Sequence, residues 1–386
     1  MPQDQPATQN DAKEYDALIR ESAASYVETS ATLARARAQM TAATIDRAQW
    51  RELAELGWFG LAVPETLGGA GLGMAELVAL LQELGKGLTP EPITLCGILP
   101  ARAAARCESP AAARLIQDVV SGSSLVGVAW QGKPGVLSAE ETAVQLHADG
   151  NMLEGAAAFV AGAPFADQFL VAARSERGVG LYLVDKDARG LSLTSSQAAD
   201  GSAFGALRFD NVTLPSDARI GRPGEGGVAL DAALDEMRVA LAAEMLGASE
   251  ALFQRTLDYL RVRKQFGRAI GSFQALQHRA VDLHVQIELS RAAVNRAARI
   301  FDATADKPNF AAAERAAAAS ACKARLSDAA LVVAREAVQL HGAIAYTQEH
   351  DIGLFLNHAL VRSALLGNAP AHRRRFGLLT AKLRAA

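Results

Sequence analysis

Residues 258–282 read DYLRVRKQFGRAIGSFQALQHRAVD and are the most informative stretch of the chain. Apolar residues recur at helical spacing from Leu246 to Val262 and again from Phe273 to Val285, and two glycines interrupt the pattern between them. We therefore predict two helices joined by a short turn. The turn region carries cations, amides and an aromatic ring, namely Arg263, Lys264, Gln265, Phe266, Arg268, Gln274 and Gln277. Such a set suits a dinucleotide, which needs charge-assisted bonds to its diphosphate; a solvated edge of two helices is the alternative.

Length and composition predict a globular protein of two or three domains that is rich in helix. The chain has 386 residues, half of them apolar, and a formal net charge of -3, which gives no indication of nucleic-acid binding. The N-terminal stretch MPQDQPATQNDAKEYD lacks the apolar core of a signal peptide, and no apolar run reaches the roughly 20 residues of a membrane span. We therefore expect a cytoplasmic protein with no membrane partner.

Cysteine and histidine give no indication of a metal site. Cys96, Cys107 and Cys322 are scattered without the spacing of metal ligands, so we expect reduced, buried thiols. The histidines form no HExxH pattern or other tight ligand set. We expect no bound metal.

Hydrophobic patterning divides the chain into three regions, which we predict as domains. Residues 1–120 are helical in pattern, and residues 121–222 contain short segments rich in valine, leucine and phenylalanine, separated by turn signals. The predicted strands of this antiparallel β domain are 124–130, 143–147, 169–173, 180–184 and 206–209. Residues 223–386 return to helical periodicity, with segments near 228–262, 273–303, 309–340, 350–364 and 372–384. The fold class is therefore α+β, mainly α, ending in a four-helix bundle.

The order RKQFG-x-x-I-x-x-FQ-x-x-Q resembles the C-terminal domain of the acyl-CoA dehydrogenase family. In that family the string lies where the diphosphate of FAD meets a neighbouring subunit. The resemblance implies FAD as cofactor and implies that it is bound by Arg263, Gln265, Phe266, Gln274 and Gln277.

A second string, QLHGAIAYT, resembles the family's other cofactor motif, Gln-Leu-x-Gly-Gly-x-Gly. Gln339 and Gly342 are retained, whereas Ala343 and Ala345 replace glycines. Small residues still allow a ligand close to the backbone, so we expect weakened rather than abolished contact. The resemblance implies cofactor roles for Gln339, Gly342 and Ala343, and also for Asn368 near the C-terminus.

The middle region departs from the family pattern. Trp130 to Gly135 stands where members usually have a Thr-Glu-Pro segment facing the flavin, and Phe159 to Ala161 stands where they have Trp-Ile-Thr. Hydroxyl bonds to the flavin are lost by these replacements. We expect any bonds there to come from backbone amides or from another chain.

The usual catalytic bases are also missing. Desaturation of an acyl thioester requires a carboxylate that removes the α-proton while hydride leaves the β-carbon. Leu366 occupies the place of the usual family glutamate, and Met237 occupies the place used by a minority. Glu236 is the nearest candidate base, although a shift of one residue rotates a helical side chain by about 100° and a capping or solvated role is the alternative. We expect Glu244, on the same helix, to make a structural ion pair or polar core contact.

ELGK followed by TPEP, together with LLGNAPAHRRRF, resembles the pimeloyl-CoA dehydrogenase small-subunit type and related subunits of heteromeric acyl-CoA dehydrogenases. The resemblance implies FAD-dependent α,β-dehydrogenation of an acyl-CoA, with electrons passed to electron-transfer flavoprotein. It also implies a homo- or hetero-oligomer with an acyl-CoA dehydrogenase paralogue. A catalytically silent, cofactor-holding subunit and a flavin oxidase or monooxygenase on the same fold are the alternatives.

Overall fold

The computed structural model describes residues 9–30, 33–42, 44–148, 150–305 and 311–385. Within these ranges the chain is mainly helical around a central sheet, as predicted. The N-terminal helices are α1 (Gln9–Thr29), α2 (Leu33–Thr41), α3 (Arg47–Glu55), α4 (Met74–Lys86), α5 (Leu99–Ala104) and α6 (Pro110–Val120).

Short polar residues define where these helices begin. The Asp46 side chain accepts a bond of 2.8 Å from the backbone N–H of Ala48 at the start of α3, and the Ser109 hydroxyl accepts one of 3.1 Å from Ala112 in α6. The loop between α4 and α5 contains a π-helical segment, Ile93–Ile98, directly after Pro92. This segment later forms one wall of the site.

In the described part of the chain, eight strands form the central sheet. They are β1 (Val126–Ala129), β2 (Gln145–Leu146), β3 (Met152–Ala161), β4 (Gln168–Ser175), β5 (Gly178–Asp185), β6 (Leu191–Gln197), β7 (Ala203–Thr213) and β8 (Arg219–Ile220). Their order is β6-β7-β3-β2-β4-β5-β8, with β1 beside β4. Most pairs are antiparallel, as predicted, but β4 pairs in parallel with both β1 and β2. The sheet is therefore mixed, because the long connections to β4 allow parallel pairing.

The prediction missed two long strands, β3 and β6. The β3 sequence, MLEGAAAFVA, is rich in alanine and contains glycine, and both residue types are depleted in strands. The β6 sequence, LSLTSSQ, is largely exposed and has no apolar alternation beyond its first residues. These two segments are strands because they pair with neighbouring strands of the sheet, not because of their local propensity.

The C-terminal region forms the expected bundle and one additional helix. Its helices are α7 (Gly226–Val262), α8 (Gln274–Ala303), α9 (Ala312–His341), α10 (Ile352–Ala364) and α11 (Ala369–Ala385). A two-stranded ribbon, β9 (Lys264–Gln265) and β10 (Arg268–Ala269), joins α7 to α8. Helix α11 begins earlier than predicted because Asn368 caps it. The predicted start of α9 at residue 309 lies outside the described residues.

The core runs continuously from the N-terminal helices through the sheet into α7 and α9. Cys96, Cys107 and Cys322 are free and buried, as predicted. Among the described helices, none has the length and hydropathy that a membrane crossing requires.

Candidate functional site

The turn between α7 and α8 presents the predicted cofactor residues to solvent. Phe266 is 91% exposed and has a φ of 53°, in the left-handed region that non-glycine residues seldom adopt. Arg263 and Gln274 are exposed, and their side chains form no hydrogen bond or ion pair with the described residues. Gln265 and Gln277 are also exposed and bond only to nearby backbone carbonyls. The turn therefore has free donors and an uncovered ring, which fits a bound dinucleotide.

The end of α9 lies beside this turn. The rings of Tyr259 and His341 stack with centroids 4.4 Å apart, and the Tyr259 hydroxyl donates to the His341 carbonyl at 3.2 Å. Gly342 follows with a φ of 69° and nothing near its missing Cβ. Gln339 and Ala343 are exposed here as well. The structure thus brings the two predicted cofactor motifs to one end of the bundle.

Asn368 lies beside the N-terminal half of α7, far from this turn. Its side chain accepts a 3.1 Å bond from the backbone of Ala371. Two residues earlier, the Leu366 carbonyl accepts a 3.4 Å bond from Arg238. Arg238 lies about 37 Å from Arg263 along α7 at 1.5 Å per residue. Within one chain, the structure does not bring Asn368 together with the other predicted cofactor residues.

Glu236 faces a separate cavity of about 400 Å³ between the N-terminal helices and the start of α7. Its two carboxylate oxygens accept bonds of 2.8 and 2.9 Å from Arg102, and Arg106 forms a further ion pair. Burial raises the pKa of Glu236, but the guanidinium groups of Arg106 and Arg102 lower it to about 2. A general base is most effective when its pKa lies near the working pH. The role of Glu236 as base stays a prediction, and this geometry disfavours it.

Met237 and Leu366, at the places of the family's two usual bases, are both buried apolar residues. Leu366 has a φ of 53°, and its carbonyl accepts a 3.0 Å bond from His372. Neither side chain can accept a proton.

A cavity of about 300 Å³ lies where α2, the loop before α5, the sheet, α7 and α10 meet. Leu241 and Glu244 line it from the same face of α7 as Met237, because they follow it by four and seven residues. Leu365 lines it from the end of α10, and Ala161 lines it from the predicted flavin-facing segment. Sequence reasoning missed this cavity, although the helical spacing from Met237 was a usable signal.

Glu244 makes an ion pair, one of the two roles that the sequence analysis expected. Its Oε1 accepts bonds of 3.0 Å from His358 and 2.7 Å from Arg362. Arg362 also donates to Asp200 at 3.0 Å and to Ser202 at 3.1 Å. Burial raises the pKa of Glu244, but Arg362 and His358 lower it to about 2, so the carboxylate is ionised at neutral pH.

The two segments that replace the family's flavin-facing motifs differ in their exposure to solvent. Trp130 is buried, whereas Phe159 is 49% exposed with a φ of 57° at an irregularity in the pairing of β3 with β7. Ala161 and Gly162 border the 300 Å³ cavity. Neither residue supplies a hydroxyl.

Across the described ranges, no group of three or more His, Cys, Asp or Glu side chains could hold a metal ion.

Comparison with known proteins gives consistent matches over most of the chain. The family model described as "Acyl-CoA dehydrogenase, N-terminal domain" matches residues 13–98, and the one described as "Acyl-CoA dehydrogenase, C-terminal domain" matches residues 224–377. Acyl-CoA dehydrogenase IpdE2 of Mycobacterium tuberculosis is 33% identical over 90% of this chain and 92% of its own length. Acyl-CoA dehydrogenase FadE27 of the same organism is 31% identical over 86% of this chain and 87% of its own length.

Two solved structures are similar over nearly the full length. A variant of the Tcur3481-Tcur3483 steroid ACAD is 32% identical, with a TM-score of 0.85 over 97% of this chain and 100% of that chain. The ChsE4-ChsE5 complex from Mycobacterium tuberculosis is 28% identical, with a TM-score of 0.83 over 98% of this chain and 99% of that chain.

Proposed function

Because this chain belongs to the acyl-CoA dehydrogenase family, we propose that it takes part in α,β-dehydrogenation of an acyl-CoA thioester, with electrons passed on to electron-transfer flavoprotein. The protein is an oxidoreductase of the flavoprotein class with FAD as cofactor. FAD, when bound, supplies the acceptor for the substrate's β-hydride. The chain's own residues hold the acyl group, exclude water and orient the thioester.

The cavity of about 300 Å³ is the observation that carries this proposal. It is bordered by Leu241, one turn after Met237, and by Leu365, directly before Leu366. An acyl group in this cavity therefore lies beside both places at which the family carries a base. The mixed apolar and polar lining is typical of a small-molecule site.

We assign cofactor binding to the exposed end of the bundle. Arg263 supplies a free guanidinium, Gln274 a free amide and Phe266 an uncovered ring. Gln265 and Gln277 lie at the same turn, and Gln339, Gly342 and Ala343 lie at the end of α9, whose His341 contacts Tyr259. These groups suit the diphosphate and adenosine parts of FAD.

The separation of about 37 Å along α7 favours a site shared between subunits, at 1.5 Å per helical residue. The groups at Arg263 and those at Asn368 can serve one cofactor when one set comes from a second chain. Two similar structures are named for pairs of differently named proteins, Tcur3481-Tcur3483 and ChsE4-ChsE5. We therefore propose an oligomer with an acyl-CoA dehydrogenase paralogue, of the small-subunit type that the sequence resembles.

A second candidate function is a catalytically silent subunit that holds the cofactor. Buried Met237 and Leu366 leave the two usual base positions without a carboxylate. The nearby Glu236 carboxylate forms ion pairs with two arginines, Arg102 and Arg106. In this case the paralogue supplies the base and this chain supplies cofactor contacts.

Anaerobic bleaching of the flavin absorbance by a panel of acyl-CoAs tests both functions. The purified FAD-loaded chain is measured alone and then after co-expression with a paralogue that carries a glutamate at the place of Leu366. Bleaching by the chain alone would support a complete active site in this chain. The silent-subunit function would be supported if only the pair bleaches the flavin and if this bleaching is lost when the paralogue's glutamate is replaced by glutamine. No bleaching in either preparation would overturn the dehydrogenase proposal.

A further inference from the structure

Glu244 presents one oxygen to the 300 Å³ cavity. Its Oε1 accepts both bonds, from His358 and Arg362, whereas Oε2 forms no hydrogen bond with the described residues. Oε2 is not fully buried, and the Glu244 side chain lines this cavity, so this oxygen is the part of the carboxylate available to a bound group. The two donors on Oε1 fix the carboxylate and leave Oε2 as an oriented acceptor.

The other acidic groups around the cavity differ from Glu244. Glu91 pairs with Arg35 through Oε1, and its Oε2 is fully buried beneath the cavity surface without a partner. Asp46 is exposed and its side chain caps α3. Glu244 is therefore the cavity carboxylate that offers both a fixed orientation and an accessible oxygen.

An ionised oxygen in this position disfavours a purely hydrocarbon acyl group. Covering Oε2 with apolar carbon would remove it from water without a replacement hydrogen bond, which is costly for a charged group. A hydrogen-bond donor on the acyl group removes that cost. Glu244 and Glu91 each already have an arginine partner, Arg362 and Arg35, and Arg362 also pairs with Asp200. A hydroxyl is a small group that supplies the donor Oε2 still lacks without bringing a further charge into the cavity.

We propose that the cavity selects acyl-CoA thioesters whose acyl group carries a hydroxyl, and that Glu244 Oε2 accepts the hydrogen bond from this hydroxyl. The inference rests on the proposed function, because it places the acyl group in this cavity. The Thr94 hydroxyl lines the same cavity and has no hydrogen-bond partner among the described residues. It can donate to or accept from the same substrate group.

Calorimetric titration with octanoyl-CoA and its monohydroxy isomers tests this selection. The hydroxyl is placed at each carbon from C4 to C8, and the FAD-loaded protein is used alone and with its paralogue. At least one isomer is expected to bind about tenfold or more tightly than octanoyl-CoA, since a hydrogen bond to a charged group stabilises by about that factor. The proposal fails if every isomer binds no more tightly than octanoyl-CoA.

Substitutions at Glu244 test whether this residue causes the preference for a hydroxylated acyl group. Glu244→Leu is expected to abolish it, and Glu244→Gln, which keeps the shape and an acceptor but loses the charge, is expected to reduce it severalfold. Glu250→Gln is the matched control on α7, because the Glu250 carboxylate bonds to Gln82 and Arg291 outside the cavity. A preference that persists unchanged in Glu244→Gln would overturn the assignment, and this variant decides the question if the leucine variant does not fold.

Binding and flavin bleaching separate this inference from the proposed function. Bleaching by octanoyl-CoA without any hydroxyl preference would leave the dehydrogenase proposal intact and overturn the selection. A hydroxyl preference without bleaching by any acyl-CoA would support the selection and overturn the dehydrogenase proposal. If none of the acyl-CoAs binds, both fail.

Discussion

Arg263 lies in the turn after α7, where its guanidinium has no hydrogen-bond partner among the described residues. If it binds the diphosphate of FAD, Arg263→Ala removes a charge-assisted bond. We expect the FAD affinity to fall by about tenfold to a hundredfold. Fluorescence titration of the apoprotein with FAD measures this change. Arg51→Ala is the control, because Arg51 is likewise exposed and unpaired in the structure but lies on α3; equal affinities for the two variants would contradict the assignment.

Lys323 is a fully buried cation that organises the turn between α10 and α11. Its Nζ donates to the carbonyls of Arg362 at 3.0 Å, Ser363 at 3.2 Å and Gly367 at 3.1 Å, and to the Ser327 hydroxyl at 3.0 Å. Burial lowers the pKa of Lys323 to about 7, and nearby Arg238 contributes in the same direction.

This shift has a defined effect on stability. Between about pH 7 and the ordinary lysine value of 10.5, the unfolded chain binds more protons at this position than the folded chain. The Lys323 contribution to the free energy of unfolding therefore rises with pH across that window. We expect the free energy of unfolding of the wild type, minus that of Lys323→Met, to increase from pH 7 to pH 10. Urea denaturation at each pH measures both values. A difference in the free energy of unfolding that does not change with pH would contradict this. Lys133→Met is the control, because Lys133 is exposed.

At the scale of elements, the contact between α4 and α7 depends on glycine. A Cβ on Gly247 would lie 1.8 Å from the Gln82 carbonyl oxygen, and one on Gly85 would lie 2.1 Å from the Glu244 carbonyl oxygen. The two backbones approach this closely because neither glycine carries a side chain. The crossing holds α7, and with it Glu244, against the N-terminal helices.

The same substitution should have opposite effects in two helices. Gly247→Ala is expected to destabilise the fold by about 2 kcal/mol or more, because the added methyl forces α4 and α7 apart. Gly377→Ala in α11 meets nothing within 4 Å and is expected to stabilise by up to about 1 kcal/mol through helix propensity. Thermal unfolding of both variants checks this; a neutral Gly247→Ala would show that the crossing is looser than described.

At the scale of the whole molecule, α8 carries an uncovered apolar face. Val281, Val285 and Leu289 are 59%, 45% and 54% exposed and recur at every fourth residue. A continuous apolar stripe of this kind is typical of a surface covered in an oligomer. It fits the proposed assembly with a paralogue.

Val285→Asp should therefore weaken the assembly while leaving the subunit folded. A buried, unpaired carboxylate at an interface is strongly unfavourable, so we expect dissociation at concentrations where the wild type stays assembled. Light scattering coupled to size-exclusion chromatography measures the mass. Ala113→Asp, at an exposed position of α6, is the control. An unchanged mass for Val285→Asp would exclude this face from the interface.

Most helices and the turn at Arg263 could be predicted from the amino-acid pattern, because these features depend on nearby residues. Apolar periodicity predicted a helix at 273–303, and α8 spans Gln274–Ala303. The cofactor motif is also local, since its residues follow one another around a single turn. Strand β3 was missed because its alanine-rich sequence is typical of a helix and only its neighbours in the sheet make it a strand.

The candidate site could not be predicted in this way, because it is assembled by tertiary packing. The lining of the 300 Å³ cavity runs from Arg35 to Leu365, and no local pattern connects residues so far apart in the chain. Glu236 and Glu244 lie on one helix, yet the former faces two arginines in another cavity and the latter presents a free oxygen to this one. Sequence identifies both as carboxylates. Their partners, burial and direction arise from the packing of helices and strands that are distant in sequence.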